Sequence, residues 1–198
     1  MASVARYREG DCNPKAVLCD ANYPIEVGDL LFREPSNNLA RPASAMVNQG
    51  SETLNQQAFH DYFLGVALQK NGLQTNEAVP LNSTVNHSPA NVIEVATTGV
   101  FEFQLSSAAT YNGGEFIAPA NNTGGTALQN QVVKTAVAGI AGSIGRASPA
   151  AAEIGQNATQ LSPQAYLGQA NVVAVEILST IFYGGESTPV SGSSSGAV

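Results

Sequence analysis

The chain has 198 residues and a mass of 20.4 kDa, enough for one hydrophobic core or at most two small domains. Hydrophobic residues make up 43% of it, which excludes wholesale disorder, whereas charged residues make up only 12%, about half the usual share. The formal net charge is −7 and the few cations share their segments with acids, so we expect no nucleic-acid binding, which needs clustered Lys and Arg.

Residues 1–24 are predicted to form an extended arm, because they mix charges with two prolines and show no sustained apolar period. The arm contains no apolar signal-peptide core, and no run in the chain approaches the ~18 apolar residues of a membrane helix, so we expect a soluble protein made in a cytoplasm. The segment "YPIEVGDLLFRE" then predicts a short strand, a turn at Gly28 and Asp29, and a second apolar strand. Residues 35–50, rich in Pro, Asn, Ser and Ala, predict a loop.

The best helix prediction covers residues 51–62. Ser51 is a suitable N-cap, and the apolar residues that follow have a three-to-four spacing that places them on one face. These residues are Leu54, Ala58, Phe59, Tyr62 and Phe63. The next segment, "FLGVALQ", predicts a strand in which Gly65 marks a bulge or a close approach of two backbones.

Thr97–Pro119 contains the clearest strand pattern of the chain and predicts two strands around a Gly-Gly turn. Just before it, "VIEVA" alternates up to a Thr-Thr-Gly break, and beyond the break Phe101 and Phe103 share one face. Later strand candidates lie in "GEFIAP", "VVKTAVAGIAGSIGRAS" and "NVVAVEILSTIFYGG". We therefore predict an all-β barrel or sandwich over residues 25–183, followed by a flexible Gly/Ser tail, residues 184–198.

A weak internal repeat supports a fold made of two similar halves. "VGDLLF" (27–32) resembles "GGEFIA" (113–118), and "FLGVALQ" (63–69) resembles "SIGRASP" (143–149). A third pair, "GVFEFQL" (99–105) and "AVEILST" (174–180), follows in the same order. Short matches of this kind also arise by chance, so duplication and coincidence are both open at this point.

Residues that carry chemistry are few and scattered. Cys12 and Cys19 fit free or buried thiols, with a mutual disulfide as the alternative, since a metal site needs two more ligands. His60 stands beside Asp61 in the predicted helix, where adjacent residues do not face each other, so we expect both on the helix surface. The acids of the predicted strands are expected to face solvent: Glu94, Glu102, Glu115 and Glu176. We predict no catalytic residue, no cofactor and no metal site, and hence no enzyme.

Three segments in this order, "GDLLF", "FHDYFLGVALQ" and "VIEVATTGVFEF", resemble the small all-β decoration, or cement, proteins of tailed-phage heads. The matching residues are Phe63, Leu64, Gly65, Val66 and Ala67, followed by Ile93, Val95, Gly99, Val100, Phe101 and Phe103. The resemblance covers residues 25–183 and rests on core residues. The arm, the helix and the tail depart from the family pattern.

The resemblance implies a β-barrel or sandwich that attaches to the outside of the capsid lattice, often as a trimer. The expected function is therefore capsid decoration: a virion protein, assembled in the host cytoplasm, that binds the major capsid protein and itself and stabilises the head, with no membrane, nucleic-acid or small-molecule partner. Within the arm, Arg6, Tyr7 and Arg8 are the predicted interaction residues, because Arg and Tyr are common at interface hot spots. The alternative is a virion-associated β-sandwich that recognises glycans or a host receptor, for which Tyr111 is the one candidate.

Overall fold

The computed structural model describes residues 5–71, 91–107, 113–148 and 172–183, and within these ranges the predicted all-β class is confirmed. The strands are β1 Arg6–Glu9, β2 Pro14–Leu18, β3 Leu30–Arg33, β4 Ala40–Pro42, β5 Phe63–Ala67, β6 Val92–Ala96, β7 Thr98–Leu105, β8 Phe116–Asn121, β9 Leu128–Thr135, β10 Gly145–Ala147 and β11 Val172–Leu178. The helices are α1 Glu52–Asp61 and α2 Thr180–Tyr183, with 3₁₀ helices at Ala43–Ala45 and Gly139–Gly142. Among the described residues, no helix is long and apolar enough to cross a membrane. The predicted tail, residues 184–198, lies outside them.

The later strands form a closed barrel in the order β7-β11-β10-β8-β9. Closure comes from a short parallel pairing in which Gln104 and Leu105 of β7 lie beside Val132 and Val133 of β9. Ahead of this pairing, the same edge of β7 is covered by β1, which runs antiparallel to it. We call the five strands β7 to β11 the C-terminal barrel.

The earlier strands form a second sheet in the order β2-β6-β5-β3-β4, which we call the N-terminal sheet. A single parallel bridge between Cys19 and Ala40 brings its first and last strands together. The backbone N–H of Asp20 donates to the Ala40 carbonyl at 3.0 Å, and in the C-terminal barrel Ser106 donates to the Val133 carbonyl at the same distance.

The two units have the same topology. In both, the five strands taken in chain order occupy the spatial order first, fifth, fourth, second, third. Their registers also agree: Leu31 pairs with Gly65 in the N-terminal sheet, as Ile117 pairs with Gly145 in the barrel. The structure therefore supports duplication and confirms the matches of 27–32 with 113–118 and of 63–69 with 143–149. The third match is wrong, because the pairings make 92–97 the equivalent of 172–177.

The two equivalent glycines hold equivalent positions against a neighbouring backbone. A Cβ added at Gly65 would lie 2.0 Å from the Ala96 carbonyl oxygen, and one at Gly145 would lie 2.0 Å from the Glu176 carbonyl oxygen. Gly65 also has a φ of +142° and sits where the β3–β5 register shifts. The predicted bulge or close approach at Gly65 is thus confirmed, and both features are present. The positive φ at the bulge and the lack of room for a Cβ each favour glycine.

The inner faces of the two units are filled at matching positions. In the N-terminal sheet the inward-facing residues are Val17, Cys19, Leu31, Ala40, Leu64, Ala67, Ile93 and Val95. Their equivalents in the C-terminal barrel are Phe103, Leu105, Ile117, Val133, Ile144, Ala147, Val173 and Val175. The apolar runs of the sequence predict a buried core that includes Phe63, Val66, Val95, Val100, Phe101, Phe103 and Ile117. All seven are buried in the structure.

The outer face of the N-terminal sheet is buried as well, and it joins the core of the C-terminal barrel. Leu30, Val66 and Ala96 are each 0% exposed and belong to the same apolar cluster as the barrel interior. Helix α1 covers the rest of this face with Phe59, whose ring lies 6.0 Å from that of Phe32. The predicted helix is confirmed, with Ser51 Oγ accepting from the Leu54 N–H at 3.2 Å.

Polar side chains form hydrogen bonds between the two units where the outer face of the N-terminal sheet meets the C-terminal barrel. Gln131 of β9 accepts from the Ala5 N–H at 3.2 Å and donates to Asp29 Oδ1 at 2.8 Å. Asp29 also accepts from the Glu26 N–H at 2.9 Å. Because burial outweighs these hydrogen bonds, the pKa of Asp29 is raised above its ordinary value.

The predicted arm differs most from expectation. Arg6–Glu9 and Pro14–Leu18 are extended as predicted, but they are paired strands: β1 pairs with β7 and β2 pairs with β6, and Ala5 is buried. The sequence leaves two interpretations of this segment open, a docking arm that is mobile in the free protein and a first strand of the barrel. The structure favours the second, because the segment supplies strands to both units. The segment is held by backbone pairing with β7 and β6 and not by an apolar face of its own, so its sequence shows no apolar period.

Loops and turns also differ in detail from the predictions. The region 35–50 holds β4 and a 3₁₀ helix, and residues 23–27, where the first strand of this segment was predicted, form no strand. The two strands within 97–119 are present as β7 and β8, but each pairs with other strands rather than with its sequence neighbour.

Candidate functional site

An open groove of about 620 Å³ lies on the outer face of the C-terminal barrel. Its walls come from the end of α1, the second 3₁₀ helix, β10, β11, the start of β7 and the residues after β1. The side chains that matter below are Phe116, Ile140, Arg146, Glu176, Leu178 and His60. Ile140 is 59% exposed and Leu178 is 53% exposed, so the groove presents apolar side chains to solvent.

The groove occupies the face that is buried in the N-terminal sheet. Register places Phe116 and Arg146 of the barrel at the positions of Leu30 and Val66. By the same register Glu176 takes the position of Ala96. Two apolar core positions of one unit are thus charged in the other, which keeps this face of the barrel in contact with water.

The charged residues of the groove are held by local contacts. The Arg146 guanidinium lies over the Phe116 ring, 4.4 Å from its centroid, a cation–π arrangement. Arg146 and Glu176 are direct partners across β10 and β11. The floor of the groove therefore combines an apolar ring with one positive and one negative side chain.

His60 is a buried polar residue of the groove wall. Its Nδ1 lies 2.6 Å from the Ser143 carbonyl oxygen, which can only accept, so Nδ1 carries a proton and donates it to this carbonyl. Nε2 has no hydrogen-bond partner within the described residues. The prediction that His60 lies on the helix surface is wrong, because the C-terminal barrel covers that side of α1 and leaves His60 only 6% exposed.

The predicted interaction residues lie in β1, beside the groove rather than in it. Tyr7 is 47% exposed, and its ring packs edge-on against Phe101 with centroids 5.5 Å apart. Its hydroxyl donates to the Gly10 carbonyl, and Gly10 lines the groove. Arg6 pairs with Glu102 of β7, Arg8 lies at the register shift between Tyr7 and Glu9, and the side chains of both arginines lie outside what the structure describes.

Two other titratable groups serve the fold. Both cysteines are free thiols, as predicted, and Cys19 is 2% exposed on the inner face of the N-terminal sheet, where burial raises its pKa. Asp20 is paired with Arg41 at 2.8 Å. Backbone hydrogen bonding from Asn22 lowers the pKa of Asp20, helped by the Arg41 contact. Across the described ranges, no group of three or more His, Cys, Asp or Glu side chains is placed to hold a metal ion.

The groove was missed at the level of sequence. The match of "FLGVALQ" to "SIGRASP" contained the needed signal, because it sets Arg146 opposite a core valine, Val66. Neither the protein-family models nor the curated proteins compared with the chain give a match.

Proposed function

We propose that this protein is a capsid decoration protein that binds the outer surface of a tailed-phage head and holds neighbouring subunits together. The family resemblance of residues 25–183 supports this role. The chain is also poor in charge, at 12%, and rich in amides and hydroxyls, which are easier to desolvate than charges. Such a surface suits a protein that works in close contact with its neighbours.

The observation that carries the proposal is the apolar groove on the C-terminal barrel. Exposed apolar area that is gathered in one concave place, with a polar rim, is typical of a protein-binding surface. Burying Ile140, Leu178 and Phe116 against another protein removes apolar area from water and so stabilises the assembled state. Any protein that binds the assembled form preferentially also raises the free energy needed to take it apart.

The test uses heads of the phage that encodes the chain, prepared without this protein. The purified chain is expected to co-sediment with these heads and to raise the temperature at which they break open. A variant carrying both Ile140→Asp and Leu178→Asp should lose most of this binding. The matched control carries both Val47→Asp and Leu54→Asp, which add the same charge at exposed apolar residues, 73% and 49% exposed, that lie outside the groove.

Wild-type protein that fails to co-sediment with undecorated heads would refute the decoration role. If the wild type binds but the groove variant binds equally well, the groove is not the adhesive surface. Circular dichroism of each variant separates a loss of binding from a loss of folding.

A glycan- or receptor-binding module is the second candidate, and a group of exposed aromatic residues favours it. Tyr7, Phe182 and Tyr183 are each at least 40% exposed. The Tyr7 hydroxyl contacts Gly10 and the Tyr183 hydroxyl contacts Asn13, so one short loop lies between them. Tyr111 lies outside the described residues. Binding of the wild type, but not of Tyr183→Ala, to immobilised host-cell glycans would favour this candidate over decoration.

A further inference from the structure

A row of three side chains crosses the floor of the groove, one from each of three neighbouring strands. Arg146 of β10 is the direct partner of Phe116 of β8 on one side and of Glu176 of β11 on the other. Direct partners in an antiparallel sheet lie on the same face, with their Cβ atoms about 4.5–5.5 Å apart. The row therefore places an aromatic ring, a guanidinium and a carboxylate side by side on the outer face of the C-terminal barrel.

Arg146 uses only one face of its guanidinium. That face lies on the Phe116 ring, 4.4 Å from the ring centroid. Arg146 is exposed, and among the described residues its N–H groups have no hydrogen-bond or ion-pair partner. A planar cation that is held flat on one ring can take a second ring on its opposite face, so Arg146 offers the groove a place for one more aromatic group.

Glu176 keeps its carboxylate available beside this cation. It is exposed and forms no ion pair within the described ranges, because the guanidinium next to it lies over Phe116 instead. An ionised carboxylate only accepts hydrogen bonds, so the group that satisfies it must donate. A ring lying on Arg146 is one strand away from Glu176, which brings a donor on the edge of that ring within reach of the carboxylate.

The remaining walls of the groove are apolar and leave room for more than one ring. Ile140 is 59% exposed and Leu178 is 53% exposed. Leu178 follows Glu176 by two residues in β11, so both side chains lie on the same face of the strand. The groove volume of about 620 Å³ falls within the range of sites that bind drug-sized ligands, roughly 300–1,000 Å³, so it can hold an aromatic side chain together with the backbone on either side of it.

Tryptophan fits these requirements better than the other natural side chains. The indole ring gives the strongest cation–π contact with a guanidinium, and its N–H is a donor only, which matches a carboxylate that only accepts. Phenylalanine has no donor, and the tyrosine hydroxyl is both donor and acceptor. This chain contains no tryptophan, so a tryptophan in the groove belongs to a different protein.

We propose that the groove binds a tryptophan side chain of a partner protein, with the indole ring on the free face of Arg146 and the indole N–H donating to Glu176. A tryptophan in a pocket is a common binding hot spot. The inference rests on the groove being the adhesive site of the proposed function, and it names the residue type that the partner contributes to that site.

The test is a nuclear magnetic resonance titration of the purified full chain with N-acetyl-tryptophanamide as the probe. This probe is expected to shift the amide signals of groove residues in a saturable way and to bind more tightly than N-acetyl-leucinamide. N-acetyl-1-methyltryptophanamide keeps the ring but lacks the indole N–H, so it should bind about two- to tenfold more weakly than the unmethylated probe. This comparison of probes needs no variant protein.

Two variants then assign the contacts. Arg146→Gln should bind the tryptophan probe about two- to fivefold more weakly, whereas Arg33→Gln loses the same charge at an exposed residue outside the groove and should bind like the wild type. Glu176→Ala should bind the methylated and unmethylated probes equally, because the acceptor is gone. The fold accommodates alanine at this position, since the equivalent residue of the N-terminal sheet is Ala96. Glu94→Ala is the matched control, exposed on β6 and outside the groove, and should keep the wild-type difference between the probes.

Equal binding of the tryptophan and leucine probes, or no saturable shift of the groove signals, would overturn the inference. It is also overturned if methylation of the indole nitrogen leaves binding by the wild type unchanged, or if N-acetyl-tyrosinamide binds more tightly than the tryptophan probe. Melting temperatures identify any variant that fails to fold. The titration uses no phage heads, so a chain that binds heads but not the probe keeps the proposed function without this tryptophan site, whereas a chain that binds the probe but ignores heads keeps the site without the function.

Discussion

Substituting glycines by alanine separates the two reasons for which Gly65 is required. Gly50→Ala meets no described atom within 4 Å but has a φ of +91°, so it should cost only the left-handed backbone term, about 1–2 kcal/mol. Gly145→Ala has no such φ but forces a Cβ to 2.0 Å from the Glu176 carbonyl oxygen, which should cost about 1–3 kcal/mol as the strands move apart. Gly65→Ala combines both effects, so we expect a loss of about 2–5 kcal/mol.

The assay is urea unfolding of the three variants, supported by thermal melts. With about 2–4 °C of melting temperature per kcal/mol for a chain of this size, Gly65→Ala should melt about 4–20 °C below the wild type. The order of stability should be Gly65→Ala lowest, with Gly145→Ala and Gly50→Ala each above it. If Gly65→Ala and Gly50→Ala unfold at the same urea concentration, the close approach to the Ala96 carbonyl does not exist and the proposed register is wrong.

Three further predictions concern the core, the junction and β1. Phe103→Ala should destabilise the protein by about 3–5 kcal/mol, whereas Leu54→Ala, at a half-exposed site, should change the unfolding free energy far less; equal effects would place Phe103 outside the core. The pKa of Asp29 is raised in the folded protein. The stability that this shift contributes is therefore complete below the pKa of Asp29 in the unfolded chain, about 4, and is lost as the pH rises through its higher pKa in the folded protein. Urea unfolding should therefore show Asp29→Asn gaining stability relative to the wild type from pH 4 to pH 7, and a constant difference would contradict this. Deleting residues 1–9 uncovers Phe101 and should lower the melting temperature by at least about 1 °C, since the aromatic contact alone is worth about 0.5–1.5 kcal/mol. An unchanged melting temperature would show that β1 does not pack there.

Local patterns in the sequence were enough to predict the elements that depend on neighbours along the chain. The α1 cap needs only Ser51 and the N–H three residues later, and the alternation of Phe101 and Phe103 follows from the pleat of a single strand. Gly65 stood out because a glycine inside an apolar strand nearly always has a local reason. The buried residues of these strands were predicted correctly because the alternation of apolar residues along a strand is also a local pattern.

The duplication was partly visible for a different reason. Segments 27–32 and 113–118 align because equivalent turns and bulges need glycine at the same offsets, which is a constraint that the sequence displays. The third match failed because any two alternating strands resemble each other, so 99–105 and 174–180 aligned without being equivalent. Only the pairing of β6 with β5 and of β11 with β10 identifies the true partners.

Tertiary structure alone decided the placement of the arm, of His60 and of the groove. The partners of β1 lie more than ninety residues away along the chain and those of β2 more than seventy, so no periodicity within the arm predicts them. His60 is buried because the C-terminal barrel covers it, and its hydrogen-bond partner, the Ser143 carbonyl, belongs to that barrel. The groove exists because Arg146 and Glu176 stand where the other unit has Val66 and Ala96, a difference that has meaning only once two distant strands are seen to be equivalent. Hydrogen bonds and side-chain contacts between segments far apart in sequence set these features, and a local pattern contains no record of which segment meets which.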